Sequence, residues 1–178
     1  YVYPKINNGD FYIKRVVGEI VAVDANVLGD GHDIIAASVL YKHESEKKWS
    51  EARMNLIGND EWKAAFTVEK QGYYAYKVEA WVDYALNWQH GIQRKIEDNQ
   101  HVKSELLEGI EFLKTTSKKG NDAEKKYLEN LKVVFENEQH YQDAIKEATS
   151  KKLHDIFTKF PEKKLANNSK EYPVYVDR

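Results

Sequence analysis

The sequence predicts an α+β chain: an immunoglobulin-like β-sandwich with a helical bundle inserted before its last strand. Three observations predict it. Up to about Tyr84 the apolar residues alternate with period two; beyond it they recur every three or four residues; and Tyr172-Pro-Val-Tyr-Val176 alternates once more. The expected organisation is residues 1–83 plus 171–178 as the sandwich and residues 84–170 as the inserted bundle.

Each strand has its own warrant. Phe11-Tyr-Ile-Lys-Arg-Val-Val17 is β-branched and aromatic and follows a turn signal, Asn7-Asn-Gly-Asp10. Val21, Val23, Ala25 and Val27 alternate with Asp24 and Asn26, the pattern of a half-buried antiparallel strand. Gly29-Asp-Gly-His-Asp33 interrupts as a loop, and Ile35, Ala37, Val39 and Tyr41 resume. His43 to Lys48 reads as a polar connection to Trp49 and a short segment ending near Leu56. After the turn Gly58-Asn-Asp60, the residues Trp62, Ala64, Phe66 and Val68 share a face. Gln71-Gly72 then turns into the longest run, in which Tyr74, Tyr76, Val78, Ala80 and Val82 face one way. Short strands at roughly ten-residue spacing are the sandwich signature, here without a Cys-Trp-Cys core.

The helical part reads as four segments. Trp88, Ile92 and Ile96 mark the first, and Val102, Leu106, Leu107, Ile110 and Leu113 the second, which stops at Gly120-Asn121. Asn121 or Asp122 caps a third, containing Tyr127, Leu128, Leu131, Val134 and Phe135. A fourth runs through Tyr141, Ala144, Ile145, Ala148, Leu153, Ile156 and Phe157 and ends by Pro161. Each has one apolar stripe, so the stripes need partners. Asn167-Asn-Ser169 reads as a loop.

Composition narrows the function classes. Residues 1–83 carry 10 Lys+Arg against 13 Asp+Glu, and residues 84–171 carry 16 against 15. Neither part has the single-sign field of a nucleic-acid or anionic-membrane binder, and no apolar run is long enough to span a bilayer. Cysteine is absent, which removes disulfides, thiolate nucleophiles and Cys-bound zinc and suits a cytoplasmic address. No signal peptide opens the chain, and without an initiator Met it reads as a piece of a longer polypeptide.

No residue pattern announces catalysis. The six histidines are scattered, and His32 in Gly-Asp-Gly-His-Asp lacks the spacing of a calcium loop. There is no Gly-x-Ser-x-Gly elbow, P-loop or dinucleotide fingerprint. Asp24, Glu79 and Asp83 sit at alternating strand positions read as facing solvent. No catalytic residue, metal ligand or cofactor is therefore assigned. Two aromatics stand apart: Tyr73 and Trp81 lie on the face of their strand opposite Tyr74, Tyr76 and Val78. If that face is open they are candidate sugar stackers; the competing reading has both faces of the sheet covered.

Gly72-Tyr-Tyr-Ala-Tyr-Lys-Val-Glu-Ala-Trp-Val-Asp83 carries a resemblance, together with Phe11-Tyr-Ile-Lys-Arg-Val-Val-Gly18, Asp30-Gly-His-Asp33, Trp62-Lys-Ala-Ala-Phe66 and Tyr172-Pro-Val-Tyr-Val-Asp-Arg178. In order and over nearly the whole chain, these segments resemble the N-terminal region of the bacterial α-1,4-glucan:maltose-1-phosphate maltosyltransferases of the α-amylase clan. The resemblance implies a β-sandwich with a helical insertion, packed on a catalytic barrel expected after residue 178, in a cytoplasmic homodimer. It implies transfer of maltosyl units from maltose 1-phosphate to α-1,4-glucan, with the catalytic carboxylates in the barrel. The alternative function is a glucan-binding sandwich module of another amylase-clan enzyme, with α-1,4-glucan as its partner.

Overall fold

A computed structural model of the chain describes residues 5–7 by their backbone and residues 13–29 and 31–178 in full. The opening residues 1–4, the turn residues Asn8 to Asp10, Phe11, Tyr12 and Asp30 lie outside the described residues.

Where apolar residues alternate, the chain forms strands: β1 (Lys5–Asn7), β2 (Ile13–Val16), β3 (Ile20–Leu28), β4 (Ile35–His43), β5 (Ser50–Arg53), β6 (Asn55–Gly58), β7 (Glu61–Thr67) and β8 (Gly72–Val82). Two more follow the helices, β9 (Asn167–Asn168) and β10 (Tyr172–Asp177). One sheet has the order β1-β3-β7-β6; the other runs β2-β10-β8-β4-β5, with β9 added on β8. Neighbours are antiparallel except β10 and β2, which are parallel. The last strand thus lies between β2 and β8, in the interior of its sheet.

One core joins the two sheets. Val21, Val23, Ala25 and Val27 of β3, with Trp62 and Phe66 of β7, meet Ala37 and Val39 of β4 and Tyr74, Tyr76, Val78 and Ala80 of β8. Tyr172, Val174 and Val176 of β10 join the same cluster. These strand residues come from the period-two set, because a pleated strand turns alternate side chains to opposite faces, and Met54, between β5 and β6, joins them in the core. Tyr41 stacks on Phe66 at 4.4 Å between ring centroids, and Tyr76 on Tyr172 at 5.3 Å.

Among the described glycines, Gly72 is demanded both by conformation and by space. Its φ is +118°, and a Cβ there would stand 2.9 Å from Nε2 of His43, which is hydrogen-bonded to the Gln71 carbonyl. His43, read from sequence as the start of a polar connection, instead ends β4 and is buried, with Nδ1 held by the Ser45 hydroxyl.

The 3.6-residue repeats form α1 (Tyr84–Glu97), α2 (Lys103–Ser117), α3 (Asp122–Glu136), α4 (Tyr141–Ala148) and α5 (Lys151–Lys159). Asn121 caps α3 in a reciprocal capping box with Glu124. The expected fourth helix is two. Ser150 takes an extended conformation, its hydroxyl accepts the Leu153 amide, and a new helix begins there. Asn167 and Asn168, expected in a loop, pair with Ala80 and Glu79, and the Ser169 hydroxyl accepts the Val78 amide.

By density of contacts the chain falls into two units, Tyr1–Val82 with Lys163–Arg178, and Asp83–Glu162. Trp88 is the hub of the helical unit, with Phe112, Phe135 and Phe157 around it at 6.0–6.3 Å between centroids. Gly109 of α2 permits that position, since a Cβ on it would lie 2.2 Å from the Trp88 ring. None of the helices among the described residues is long and apolar enough to cross a membrane.

Candidate functional site

The outward face of β8 carries Tyr73, Ala75, Lys77, Glu79 and Trp81 in strict alternation. Register extends this face across its neighbours. Tyr175 and Pro173 of β10 stand opposite Tyr73 and Ala75, and Lys42, Leu40, Ser38 and Ala36 of β4 stand opposite Ala75, Lys77, Glu79 and Trp81.

The face divides into two regions of different character. At one end Trp81 is closed to solvent, with 0% of its surface exposed. The Arg53 guanidinium and the Lys163 ammonium lie over its ring, 5.0 and 4.6 Å from the centroid. Lys163 also donates to Glu79 at 2.7 Å and to both carboxylate oxygens of Glu51 at 2.9 Å, and the Ser38 hydroxyl donates to Glu51 at 2.6 Å. Burial works against the Glu51 charge, but the Ser38 and Lys163 hydrogen bonds outweigh it and hold the carboxyl below its ordinary range. This end is an ion-paired lid over an indole.

At the other end Tyr73 is 52% exposed and leans on Tyr175, with centroids 5.1 Å apart and planes at 56°. Beyond Ala75, Lys42 and Lys77 place their ammonium groups 4.7 and 4.8 Å from the centroid of Trp49, all three side chains being half-buried. Neither lysine forms an ion pair or hydrogen bond with another described residue, whereas Lys63, Lys70 and Lys163 each meet a carboxylate.

The two aromatics picked out in the sequence therefore have different fates. They share a face, but Trp81 offers no ring to a ligand, because the cations of Arg53 and Lys163 cover it and the small Ala36 beside it lets it sink. Tyr73 alone of the two is open. Trp49, Lys42, Lys77 and Tyr175 were not singled out in the sequence. Their signal was the outward parity of Lys77 and Tyr175, but the register that aligns them with Lys42 is not written in any one strand.

The acidic residues also depart from the solvent-facing reading. Asp24 is exposed beside Lys63, but Glu79 is held under Lys163, and Asp83 is buried as the N-cap of α1, its Oδ1 accepting the Leu86 amide at 3.1 Å. His32 is exposed in its turn, His101 stacks on Tyr141 at 4.5 Å, and His154 lies beside Asp155. No three His, Cys, Asp or Glu side chains among the described residues gather closely enough to hold a metal ion. Within the helical unit, His101, Leu106, Phe135 and Tyr141 line a cavity of about 310 Å³, beside the ion pair of Lys103 and Glu138.

The whole chain, residues 1–178, matches the family described as "Alpha-1,4-glucan:maltose-1-phosphate maltosyltransferase, domain N/S". Proteins of the name alpha-1,4-glucan:maltose-1-phosphate maltosyltransferase are similar to it. That of Chlorobaculum tepidum is 38% identical over 121 residues, covering 68% of this chain and 18% of the relative. That of Myxococcus xanthus is 30% identical over 187 residues, covering 99% and 28%. That of Salinibacter ruber is 35% identical over 139 residues, covering 76% and 21%. The chain thus spans between 18 and 28% of the length of these relatives.

Proposed function

Because this chain belongs to the domain N/S family of alpha-1,4-glucan:maltose-1-phosphate maltosyltransferase, we propose that it serves as the non-catalytic accessory and dimerisation region of such an enzyme. The whole protein then transfers maltosyl units from maltose 1-phosphate to α-1,4-glucan, in the cytoplasm, with its chemistry in a barrel of the amylase clan that follows residue 178. The observation that carries this reading is the match over all 178 residues, on a sandwich interrupted by helices just before its closing strand.

The accessory role is supported by where the polar side chains are committed. Asp83 is used to start a helix, Glu79 and Glu51 to hold Lys163, and His43 to fix the turn at Gly72. Paired carboxylates at a glycosidic bond must keep one acid and one base free to exchange protons. These groups are tied to structural partners instead.

The dimerisation role is supported by the helical unit's own surface. Leu107 on α2 and Val133 on α3 are 45% and 61% exposed, on helices that otherwise bury their apolar stripes. The test is made in the whole enzyme. Leu107→Lys combined with Val133→Lys is expected to convert the dimer to monomer by light scattering while the helical circular dichroism stays unchanged. A dimer that persists at low micromolar protein refutes the role. The assignment to the enzyme is tested by phosphate release from maltose 1-phosphate in the presence of an α-1,4-glucan acceptor.

A further inference from the structure

We propose a saccharide site on this chain: the outward face of β8 between Tyr73 and Lys77 binds the phosphate monoester of a short α-1,4-linked sugar, with maltose 1-phosphate as the ligand. The choice of sugar rests on the function proposed above; the choice of a phosphorylated ligand rests on the side chains alone.

Lys42 and Lys77 are the starting point. They rise diagonally from neighbouring strands, since Lys77 is opposite Leu40 and Lys42 is opposite Ala75, which puts their Cα atoms about 7–8 Å apart. Both ammonium groups then fold onto one indole. A cation over an aromatic ring gains about 0.5–1 kcal/mol at an exposed site, but two cations on one ring repel each other. The acidic side chains nearest in register are already engaged, Glu51 and Glu79 by Lys163. No described residue neutralises the pair. A dianion with several acceptor oxygens fits such a site, and lysine binds phosphate as a point charge without needing a fixed fork geometry.

The neighbouring surface selects for more than a bare anion. Ala75 and Pro173 present no long polar side chain between the lysines and the tyrosines, so the face has a low floor there. Across it stands Tyr73, half of its surface open, braced at an angle by Tyr175. Four residue steps of extended strand lead from Tyr73 to Lys77, about 13 Å. That arrangement accepts a pyranose face on the tyrosine and a phosphate between the lysines. Trp49 does not stack the sugar, because its ring is already covered by the two lysines; it aims them.

The experiment uses the 178-residue chain, titrated separately with maltose 1-phosphate, maltose and inorganic phosphate and followed by amide chemical shifts and tryptophan fluorescence. Maltose 1-phosphate is expected to move the Ala75 and Lys77 signals saturably, at a concentration at least about tenfold below that needed for maltose or phosphate. Lys42→Gln with Lys77→Gln is expected to weaken that binding at least about tenfold, with spectral dispersion preserved. Tyr73→Ala is expected to weaken maltose 1-phosphate and leave phosphate unaffected. The site is overturned if maltose 1-phosphate does not saturate, if inorganic phosphate matches it, or if the double lysine variant binds like the parent. Failure here with intact transfer by the whole enzyme removes the site and leaves the assigned function standing; loss of the function shows instead as absence of transfer.

Discussion

Lys163 and Glu79 are 84 positions apart in the chain and 2.7 Å apart in space. The contact closes the Trp81 end of the sheet face, because the same ammonium lies over the indole and also holds Glu51. Removing it leaves two carboxylates side by side against an apolar ring. Lys163→Met is expected to destabilise the sandwich by about 1–3 kcal/mol at neutral pH, read from urea denaturation. The pH dependence has a definite sign. The Glu51 carboxyl titrates lower in the folded chain than its ordinary value of 4.5, so its stabilisation is complete above that value and is lost as pH falls through the folded value below it. The gap between parent and Lys163→Met should therefore narrow on acidification below about pH 4.5; a gap that widens there would contradict the arrangement.

Trp81→Ala and Tyr73→Ala separate scaffold from surface on a single strand. Trp81 is fully buried, and its truncation is expected to cost about 3–5 kcal/mol, the range for large aromatics in cores. Tyr73 is half-exposed, and Tyr73→Ala is expected to cost under about 1 kcal/mol. Parallel urea melts check both. Equal costs would mean that the two ends of the face are equally covered.

Gly109→Ala tests the heart of the helical unit. Alanine would gain about 1 kcal/mol of helix propensity over glycine in a free helix. Here its Cβ meets the Trp88 ring at 2.2 Å, and the ring is not free to swing, since its Nε1–H donates to the Glu105 carbonyl at 2.7 Å. Overpacking should win, with a net loss of about 1–3 kcal/mol in the melt followed at the helical circular-dichroism band. An unchanged or raised melting temperature would show that α1 and α2 separate readily at this point.

Tyr127 supplies a second pH signature. Burial, assisted by its hydrogen bond to Glu147, pushes the phenol up to about 12. The folded form thus holds this proton more tightly than the unfolded form does. Its contribution is present below the ordinary value of 10.0 and is lost as pH rises through about 12. A spectrophotometric titration should show a late-ionising tyrosine that disappears in Tyr127→Phe.

Much of the fold was legible because burial in a strand is periodic. Val21 to Val27 and Tyr74 to Val82 alternate so regularly that both the strand and its inward face follow from the sequence. The cap of α3 was legible to within one residue, as Asn121 or Asp122, for the same kind of local reason: Asn121 and the Glu124 amide it accepts are three residues apart. Ser150 was not, because whether a serine caps or continues a helix depends on its backbone torsions, set by packing on both sides. β9 was not, being two residues held by the strand it joins. The surface was least legible. Trp81 and Tyr73 obey the same parity, and what distinguishes them is a lysine more than 80 positions away that covers one and not the other.

The interior position of β10 has a consequence for the order of events in synthesis. β2 and β8 both precede the helices in the chain, so until residues 172–177 emerge β8 keeps an unpaired edge and β2 has no neighbour in its sheet. That open slot beside β8 is a place where a foreign strand could add. Long loops add only slowly to the entropy of closure, so the delay in time is the greater hazard. Helices α1 to α5 are built from local contacts and can form while the slot waits. The insertion therefore imposes a delay: the nascent sandwich stays unfinished until the six-residue strand β10 is threaded into its middle.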